Sequence, residues 1–487
     1  MGAVLLSAAW LGAGQAALAA PAPAAMPPET LQALRQAQVP LEALSVVVQE
    51  VQAPRPRLSW QAQRPVNPAS VTKLLTTYAA LDRLGPAWTW TTPVWLNGPL
   101  HDGVLEGSLH IQGRGDPKLV PEKLWALLRR VQQLGVREIR GDIVLDHSAF
   151  QLPEGHAGAF DGEPTRPYNV RPAALLLNQG VASFSFTPDL ATGQARVTSE
   201  PPLAHPAPVA TVPLLPGPCG DWRSTLKLEP GPPVRFAGGY PASCGELNWP
   251  LADLEPATWP HRVLAAAWAG LGGQLTGSVR DGAAPADRKP SFEWASPPLT
   301  EVVRDINKFS NNVMAQQLFL TLDGQAHPGQ AATLDGARAA LRQWLVGRLG
   351  EPALNGWVLD NGSGLSRDTR VTAQGLARLL QQAWDSPVMP ELMASLPIAG
   401  LDGTLRRWTA ESPARGAPGR RTPSAGPGRA HLKTGTLRDV SALAGYVLSG
   451  SGRRYLLVAV VHHPNAPAAR PALDALVQWV LQDAPSR

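Results

Sequence analysis

The motif Ser70-Val71-Thr72-Lys73 places a hydroxyl and an amine three positions apart. On a helix this spacing brings both side chains to the same face, within hydrogen-bonding reach. A serine becomes a strong nucleophile when a neighbouring group removes its proton, and a lysine can do so if burial or a second cation keeps it neutral. The motif therefore predicts Ser70 as a nucleophile and Lys73 as its base.

A second motif, Ser310-Asn311-Asn312, combines a hydroxyl with an amide. We expect the motif to be a short connection that joins two helices, from which the two groups could relay a proton and hold the amide of a substrate. The alternative is that Ser310 only caps the helix that follows it, which is the commonest use of a serine in such a position. The motif alone does not decide between these interpretations.

The third motif is Lys433-Thr434-Gly435, followed by Thr436. On an edge strand, Lys433 could bind a substrate carboxylate and lower the pKa of Lys73, while Thr434 offers a hydroxyl. Gly435 would let a substrate backbone lie close to the strand. The alternative is an ordinary turn before a hairpin. The three motifs in this order form the signature of β-lactamases and penicillin-binding proteins.

Three other patterns could be mistaken for catalytic motifs. Ser224 and Lys227 repeat the S-x-x-K spacing, but the prolines that follow predict a loop or strand serine. Glu351 opens an E-x-x-L-N sequence like that of the deacylating glutamate in class A β-lactamases, and we expect it to be an ordinary connection. His462 and His463 are neighbours on a strand, so their side chains point to opposite faces and predict no metal site.

The elements around the motifs predict an α/β domain that is interrupted by an insertion. Asn67 is expected to cap a helix that ends at Gly85 and buries an apolar face. Strands are expected at Leu44–Val51, Arg57–Ala62, His431–Gly435, Ser441–Ser449 and Arg454–His462, and further helices at Pro28–Gln38, Pro298–Leu322, Ala331–Leu349, Thr372–Trp384 and Ala468–Leu481. The segment between them, 92–286, is rich in short strands and turns, with helices expected at Glu122–Leu134 and His261–Leu271.

Composition narrows the class of protein and its compartment. The 487 residues are 44% hydrophobic and carry a net charge of +5, without the dense basic and aromatic runs of a nucleic-acid-binding protein. An apolar leader ends in Ala17-Leu18-Ala19, which predicts export with cleavage after residue 19, and because it lacks a basic residue at its start a membrane anchor or a start further upstream are the alternatives. In an oxidising compartment the two cysteines, Cys219 and Cys244, would form a disulfide, although two buried thiols remain an alternative. The basic segment Glu411–Ala430 is interpreted as a solvated loop that could touch wall or membrane anions through Arg415, Arg420, Arg421 and Arg429.

Together the motifs resemble the D-alanyl-D-alanine carboxypeptidase/endopeptidase family, the class C low-molecular-mass penicillin-binding proteins. The likeness extends beyond the triplet to NPASVTKLLTTYAAL, LGPAWTWTT, GRGDPKL, GDIVLDHSAF, DNGSGLSR and LPIAGLDGTL. The 310 − 73 = 237 positions between Lys73 and Ser310 match a family in which two further domains are inserted there. The cysteine pair also resembles a disulfide of some relatives.

This resemblance implies a fold and a division of the chain. It implies a penicillin-recognising, serine transpeptidase-like domain, with an antiparallel sheet between helices, interrupted by a β-rich two-domain insertion. The corresponding segments are a signal peptide at 1–19, the first part of the catalytic domain at 20–91, the insertion at 92–286 and the second part at 287–487.

The resemblance also implies roles for the motif residues. Ser70 would attack the bond between two D-alanines, with Lys73 as base, and Ser310 and Asn312 would assist proton transfer and hold the substrate. Lys433 and Thr434 would bind the terminal carboxylate, and the amides of Ser70 and Thr436 would form the oxyanion hole. Peptidoglycan stem peptides and cross-links would be the partners and β-lactams the inhibitors, in the periplasm, with no cofactor, no metal, no nucleic acid and at most peripheral membrane contact. A non-catalytic penicillin-binding scaffold or sensor and a β-lactamase are the alternatives.

Overall fold

The computed structural model describes residues 25–204, 210–229, 234–408 and 428–483. The expected leader lies outside these ranges, as does most of the loop Glu411–Ala430. Arg429 is described, and its guanidinium donates to the carbonyl oxygens of Leu448 and Ser449 rather than facing an open surface. None of the helices within these ranges has the length and hydropathy to span a bilayer.

The helices in these ranges are α1 (Pro28–Gln36), α2 (Lys73–Leu84), α3 (Pro121–Gln133), α4 (Trp222–Leu226), α5 (Trp259–Gly270), α6 (Leu299–Lys308), α7 (Asn312–Ala326), α8 (Leu334–Leu349), α9 (Ala373–Trp384), α10 (Met389–Ser395) and α11 (Arg470–Leu481). The strands are β1 (Leu44–Glu50), β2 (Leu58–Trp60), β3 (Thr91–Asn97), β4 (Leu100–His101), β5 (Val104–Leu105), β6 (Ser108–Gln112), β7 (Glu138–Ile139), β8 (Ile143–Asp146), β9 (Val181–Asp189), β10 (Gln194–Glu200), β11 (Thr211–Leu215), β12 (Leu228–Glu229), β13 (Arg235–Phe236), β14 (Tyr240–Pro241), β15 (Leu247–Ala252), β16 (Gln274–Leu275), β17 (Val279–Asp281), β18 (Phe292–Ala295), β19 (Ala430–Leu437), β20 (Val440–Leu448) and β21 (Arg454–His462).

One antiparallel sheet joins the two ends of the chain, in the order β19-β20-β21-β1-β2. Its central strands are apolar on both faces because helices cover both. Val46 and Val48 pack with α1 and α11, whereas Val47 between them packs with α2 and α6 to α9. Alternate residues of a strand point to opposite faces, so the continuous run of valines reflects two buried layers. The predicted antiparallel sheet between helices is confirmed.

The strands β3 to β18 form separate sheets with their own hydrophobic core. One sheet has the order β17-β8-β6-β3-β18, and another has the order β14-β11-β10-β9-β15. Strand β18 pairs with β3 along Phe292–Ala295, beyond residue 286. The division into domains stays a prediction, and this pairing favours a second boundary after Ala295.

Within this β-rich region, Cys219 and Cys244 are joined by a disulfide with their Cα atoms 4.8 Å apart. The nearby Ser224 was expected in a loop or strand, but it lies in the five-residue helix α4. Its hydroxyl donates to the carbonyl oxygen of Asp221, and Lys227 follows the helix in a left-handed conformation. The S-x-x-K spacing here therefore creates no serine–lysine pair.

The helical segment expected at Pro298–Leu322 consists of two helices, α6 and α7, joined at Ser310, as expected for an S-N-N motif that connects helices. Ser310 has a positive φ of 56°, which a continuing helix cannot accommodate. The apolar periodicity runs through both helices because both pack on the same core, so the break is indicated by the motif and not by the periodicity. The helix α10 was missed by the sequence analysis.

Candidate active site

Ser70 lies in a single 3₁₀ turn, Ala69–Thr72, directly before α2. The sequence predicted one helix starting after Asn67, whereas the α-helix proper begins at Lys73. The side chain of Asn67 still supports the turn, since its Oδ1 accepts from the Ala69 amide at 2.9 Å and its Nδ2 donates to the Ser366 carbonyl at 2.8 Å. The hydroxyl therefore projects from the amino-terminal end of a buried helix, where the helix dipole favours negative charge.

The backbone of this nucleophile turn is strained and tightly enclosed. Ala69 has a φ of 48°, in the left-handed region that costs a residue with a side chain about 1–2 kcal/mol. A Cβ atom on Gly364 would collide with the Ala69 carbonyl, and one on Gly435 would lie 2.5 Å from the Pro68 carbonyl oxygen. Gly435 therefore lets β19 lie close to the turn that carries Ser70. This is a second role beside the expected one of making room for a substrate backbone.

Lys73 is fully buried on α2, and its Nζ has three neighbours. It lies 3.0 Å from Ser70 Oγ, 2.7 Å from Asn312 Oδ1 and 2.6 Å from the Ser363 carbonyl oxygen. The amide oxygen and the carbonyl oxygen can only accept hydrogen bonds. A neutral amine would donate its two protons to them and direct its lone pair at the Ser70 hydroxyl, which is the arrangement of a general base.

Electrostatics favour this neutral amine. Burial lowers the pKa of Lys73 well below the usual value for a lysine, and the positive charge of Lys433 lowers it further. Burial also lowers the pKa of Lys433, to about 7. The predicted second cation is therefore present, although its effect is smaller than that of burial.

Ser310 is not the cap of α7. That function belongs to Asn311, whose Oδ1 accepts from the Met314 amide at 3.0 Å. The Ser310 hydroxyl instead accepts from Lys433 Nζ at 2.8 Å. Asn312, in the first turn of α7, is oriented by a 3.1 Å hydrogen bond from its Nδ2 to the Tyr168 carbonyl oxygen, which leaves its Oδ1 for Lys73.

Lys433 is buried in β19, the edge strand of the sheet, and its Nζ also donates to the Thr434 carbonyl at 2.7 Å. The amine therefore faces Ser310 and the strand backbone rather than the open cleft. Of the KTG motif and the residue after it, Thr434 and Thr436 reach the cleft. Its cavity of about 290 Å³ is lined by Ser70, Ser310, Thr404, Thr434, Thr436 and Arg470.

Two of these lining residues were not found from the sequence. Thr404 contacts Thr434 through their hydroxyl oxygens at 2.8 Å, and it lies in the 3₁₀ turn Gly403–Leu405, next to the 2.6 Å ion pair of Lys308 with Asp402. Arg470 opens the terminal helix α11. A cation in the first turn of a helix opposes the helix dipole, and this was the signal in the sequence that could have identified Arg470.

The patterns set aside earlier lie away from this cavity. Glu351 forms an exposed ion pair with Arg342, and His462 Nε2 lies 3.2 Å from Asp439 Oδ2. A larger cavity of about 900 Å³ opens in the β-rich region beside Trp259 and contains none of the motif residues. In the described part of the chain, no cluster of three or more histidine, cysteine, aspartate or glutamate residues could hold a metal ion.

Comparison with known proteins supports the relationship over most of the chain. It is 30% identical over 429 residues to a D-alanyl-D-alanine carboxypeptidase of Actinomadura sp. strain R39, covering 84% of this chain and 76% of the relative. It is 24% identical to the D-alanyl-D-alanine carboxypeptidase DacB of Haemophilus influenzae, covering 81% and 80% of the two chains. The crystal structure of penicillin-binding protein 4 from that organism superposes with a TM-score of 0.71 at 21% identity, over 92% of this chain and 99% of that one.

The family assignment rests on residues 30–482, which include every motif described above and match the D-Ala-D-Ala carboxypeptidase 3 (S13) family. The chain belongs to this family of serine peptidases.

Proposed function

We propose that this serine DD-peptidase uses Ser70 to cleave the bond after the first D-alanine of D-alanyl-D-alanine ends in peptidoglycan, through an acyl-serine intermediate. The observation that carries the proposal is the 3.0 Å approach of the buried Lys73 amine to Ser70 Oγ. The other two neighbours of the amine are acceptors, so its lone pair is directed at the nucleophile.

In acylation, Ser70 Oγ attacks the peptide carbonyl carbon and its proton passes to Lys73 Nζ. The proposed oxyanion hole is formed by the backbone amides of Ser70, in the turn before α2, and Thr436, on the edge strand, both of which line the cleft. The leaving amine takes its proton from the Ser310 hydroxyl, and the Lys433 ammonium replaces that proton across their 2.8 Å hydrogen bond. One proton thus moves from Ser70 to Lys73 and another from Lys433 to the product.

Deacylation reverses these transfers. Water attacks the ester and gives its proton to Lys433 through Ser310, while Lys73 returns its proton to Ser70 Oγ. The same steps cleave a terminal D-alanine or a D-alanyl-diaminopimelate cross-link, because the scissile bond is of one kind in both. A β-lactam would acylate Ser70 in the same way, and penicillin-binding protein 4 of Haemophilus influenzae has been crystallised with a β-lactam.

The proposed partners are the stem peptides and cross-links of peptidoglycan, and the proposed location is the periplasm of the bacterial cell envelope. The disulfide between Cys219 and Cys244 agrees with an oxidising compartment. Any membrane contact would be peripheral.

The direct test is release of D-alanine from a pentapeptide, together with labelling by a radioactive penicillin. Ser70→Ala should lower D-alanine release by roughly 10⁴-fold or more and abolish labelling, since the nucleophile and its base act as a unit. Ser224→Ala is the matched control, because it removes the serine of the other S-x-x-K sequence. Labelling that persists in Ser70→Ala would refute the proposal, and a wild type that binds penicillin without releasing D-alanine would favour the scaffold or sensor.

Separating the products of digested purified peptidoglycan distinguishes the two cleavage activities. Free D-alanine indicates carboxypeptidase action, and loss of cross-linked dimers indicates endopeptidase action.

A further inference from the structure

We propose that Arg470 binds the carboxylate next to the scissile bond and so selects substrates that carry a free α-carboxylate on the leaving residue. This inference rests on the proposed function. The sequence assigned this task to Lys433, but the cleft is lined by a different cation.

The position of Lys433 argues against direct contact with a substrate carboxylate. Its side chain is completely buried, and its Nζ is occupied by Ser310 Oγ at 2.8 Å and the Thr434 carbonyl oxygen at 2.7 Å. A substrate in the cleft meets the hydroxyls of Ser310 and Thr434 before it meets this amine.

Arg470, in contrast, lines the same cavity as Ser70, Ser310, Thr434 and Thr436. Among the lining residues that the structure describes, it is the one that carries a charge. Hydroxyl groups can donate to a carboxylate, but they do not neutralise it. A guanidinium does both, and its planar geometry matches the two oxygens of a carboxylate.

The guanidinium of Arg470 is hydrogen-bonded to the protein through Nε alone among the described residues. Nε donates to Asp474 Oδ1 at 3.0 Å, one turn further along α11, and the same oxygen accepts from Trp408 Nε1 at 2.9 Å. Within the described ranges, neither Nη1 nor Nη2 makes a hydrogen bond. Asp474 therefore orients the group and leaves its two terminal nitrogens for a ligand.

The helix that carries Arg470 strengthens the attraction for an anion. Arg470 is the first residue of α11, at the end of the helix where its dipole creates positive potential. A cation at that end gains nothing from the helix, but a bound carboxylate would be stabilised by both. The residue type that is unfavourable for the isolated helix is suited to a site that receives a negatively charged substrate.

Both proposed substrates present this carboxylate. A terminal D-alanine carries it, and so does the D-centre of a diaminopimelate residue in a cross-link. Arg470 would therefore not separate carboxypeptidase from endopeptidase action. It would favour both activities over cleavage of an ordinary internal peptide bond, in which an amide takes the place of the free carboxylate.

The test compares a peptide ending in D-alanyl-D-alanine with the same peptide ending in D-alanyl-D-alaninamide. Arg470→Gln should lower kcat/KM for the acid roughly 30- to 300-fold, as expected for loss of a charge-assisted hydrogen bond to the substrate. It should leave the slow reaction of the amide within about threefold. Arg470→Lys should retain part of the preference for the acid, because lysine keeps the positive charge but lacks the two parallel N–H donors of the guanidinium.

Arg57→Gln is the matched control. Arg57 has the same kind of ion pair, 3.0 Å from Asp483, and a similar exposure of 30% against 31% for Arg470, but it lies outside the cleft. A purely structural role for Arg470 predicts equal losses for acid and amide. That result, or a Gln variant that keeps the full preference for the acid, would overturn the inference.

Acylation by a penicillin and by its methyl ester provides a second measurement that does not depend on the slow amide. Arg470→Gln should slow acylation by the free acid and leave acylation by the methyl ester unchanged. Equal effects on the two rates would contradict the proposal. If wild type releases no D-alanine, the proposed function fails. If wild type releases it and Arg470→Gln does so equally well, only the role of Arg470 fails.

Discussion

At the scale of residues, the site depends on two buried lysines that cannot easily both be charged. Lys73 needs a lone pair to act as a base, and burial is the larger cause of its low pKa, with the charge of Lys433 second. The residue types and the spacing of Ser70 and Lys73 were sufficient to predict this pair from the sequence. The exclusion of Lys433 from the cleft was not predictable, because it depends on which way one side chain leaves an edge strand.

The charge of Lys433 has a consequence that can be measured as a pH profile. Acylation by penicillin should rise with pH as Lys73 loses its proton, and fall again as Lys433, the proton donor of the proposed mechanism, loses its own with a pKa of about 7. Lys433→Met removes the repulsion, so the pKa of Lys73 should rise and the rising limb should move to higher pH in the residual activity. Because the pKa of Lys433 is about 7, the difference from wild type should be confined to pH values below about 7.

Lys118→Met is the control for this profile, since Lys118 forms an ion pair with Asp305 and does not line the cleft. The rising limb of the pH profile of Lys118→Met should coincide with that of wild type. A Lys433→Met profile with an unshifted limb would show that the charge of Lys433 does not influence the base.

At the scale of elements, the nucleophile is positioned by pieces of chain that meet only in the folded protein. The 3₁₀ turn of Ser70 is enclosed by Gly364 and by β19 through Gly435. The Ser363 carbonyl, one residue before Gly364, is also an acceptor for Lys73. The glycine-rich sequence around Ser363 was recognised as a family likeness. Its role could not be inferred, because its contact with Lys73 joins residues that are 290 positions apart in the sequence.

Gly364→Ala tests this enclosure. The added Cβ would collide with the Ala69 carbonyl, so the turn must shift and carry Ser70 with it. A displacement of about 1 Å at a reacting atom can lower a rate roughly 10²-fold, and we expect a loss of that size in acylation by penicillin.

Gly329→Ala separates this effect from backbone strain. Gly329 has a φ of +85°, close to the +77° of Gly364, but a Cβ there would meet no atom within 4 Å. It should acylate at the wild-type rate. If both variants lose the same fraction of the acylation rate, backbone strain at the substituted glycine and not a shift of the Ser70 turn would be the cause.

The helices show where sequence patterns succeed and where they fail. Strand β21 was predicted with its observed bounds, and the apolar residues predicted on the nucleophile helix, such as Leu75 and Leu81, are buried. The break at Ser310 was predicted from the S-N-N motif and not from periodicity, because periodicity alone reports which face is buried and is insensitive to a single left-handed residue. That break directs Ser310 Oγ to Lys433 and leaves capping to Asn311.

At the scale of the whole molecule, the proposed catalytic residues and the disulfide lie beside different hydrophobic cores. The core around α2 contains residues from α6 to α10 and the main sheet, whereas Cys219 and Cys244 pack against the core of the β-rich region. The disulfide should therefore stabilise that region without shaping the cleft.

Replacing both cysteines with serine should lower the free energy of unfolding of the β-rich region by about 3 kcal/mol, the value expected for a loop of this size. The pair is separated by 25 positions. Trp222 and Trp249 lie 5.9 Å apart in the same core and provide a fluorescence signal for denaturation. Acylation by penicillin under native conditions should stay within about twofold of wild type, and reduced wild type should behave like the double variant. A loss of acylation that accompanies the loss of stability would mean that the β-rich region supports the cleft, and would point to the contact of Asn312 with the Tyr168 carbonyl as the connection.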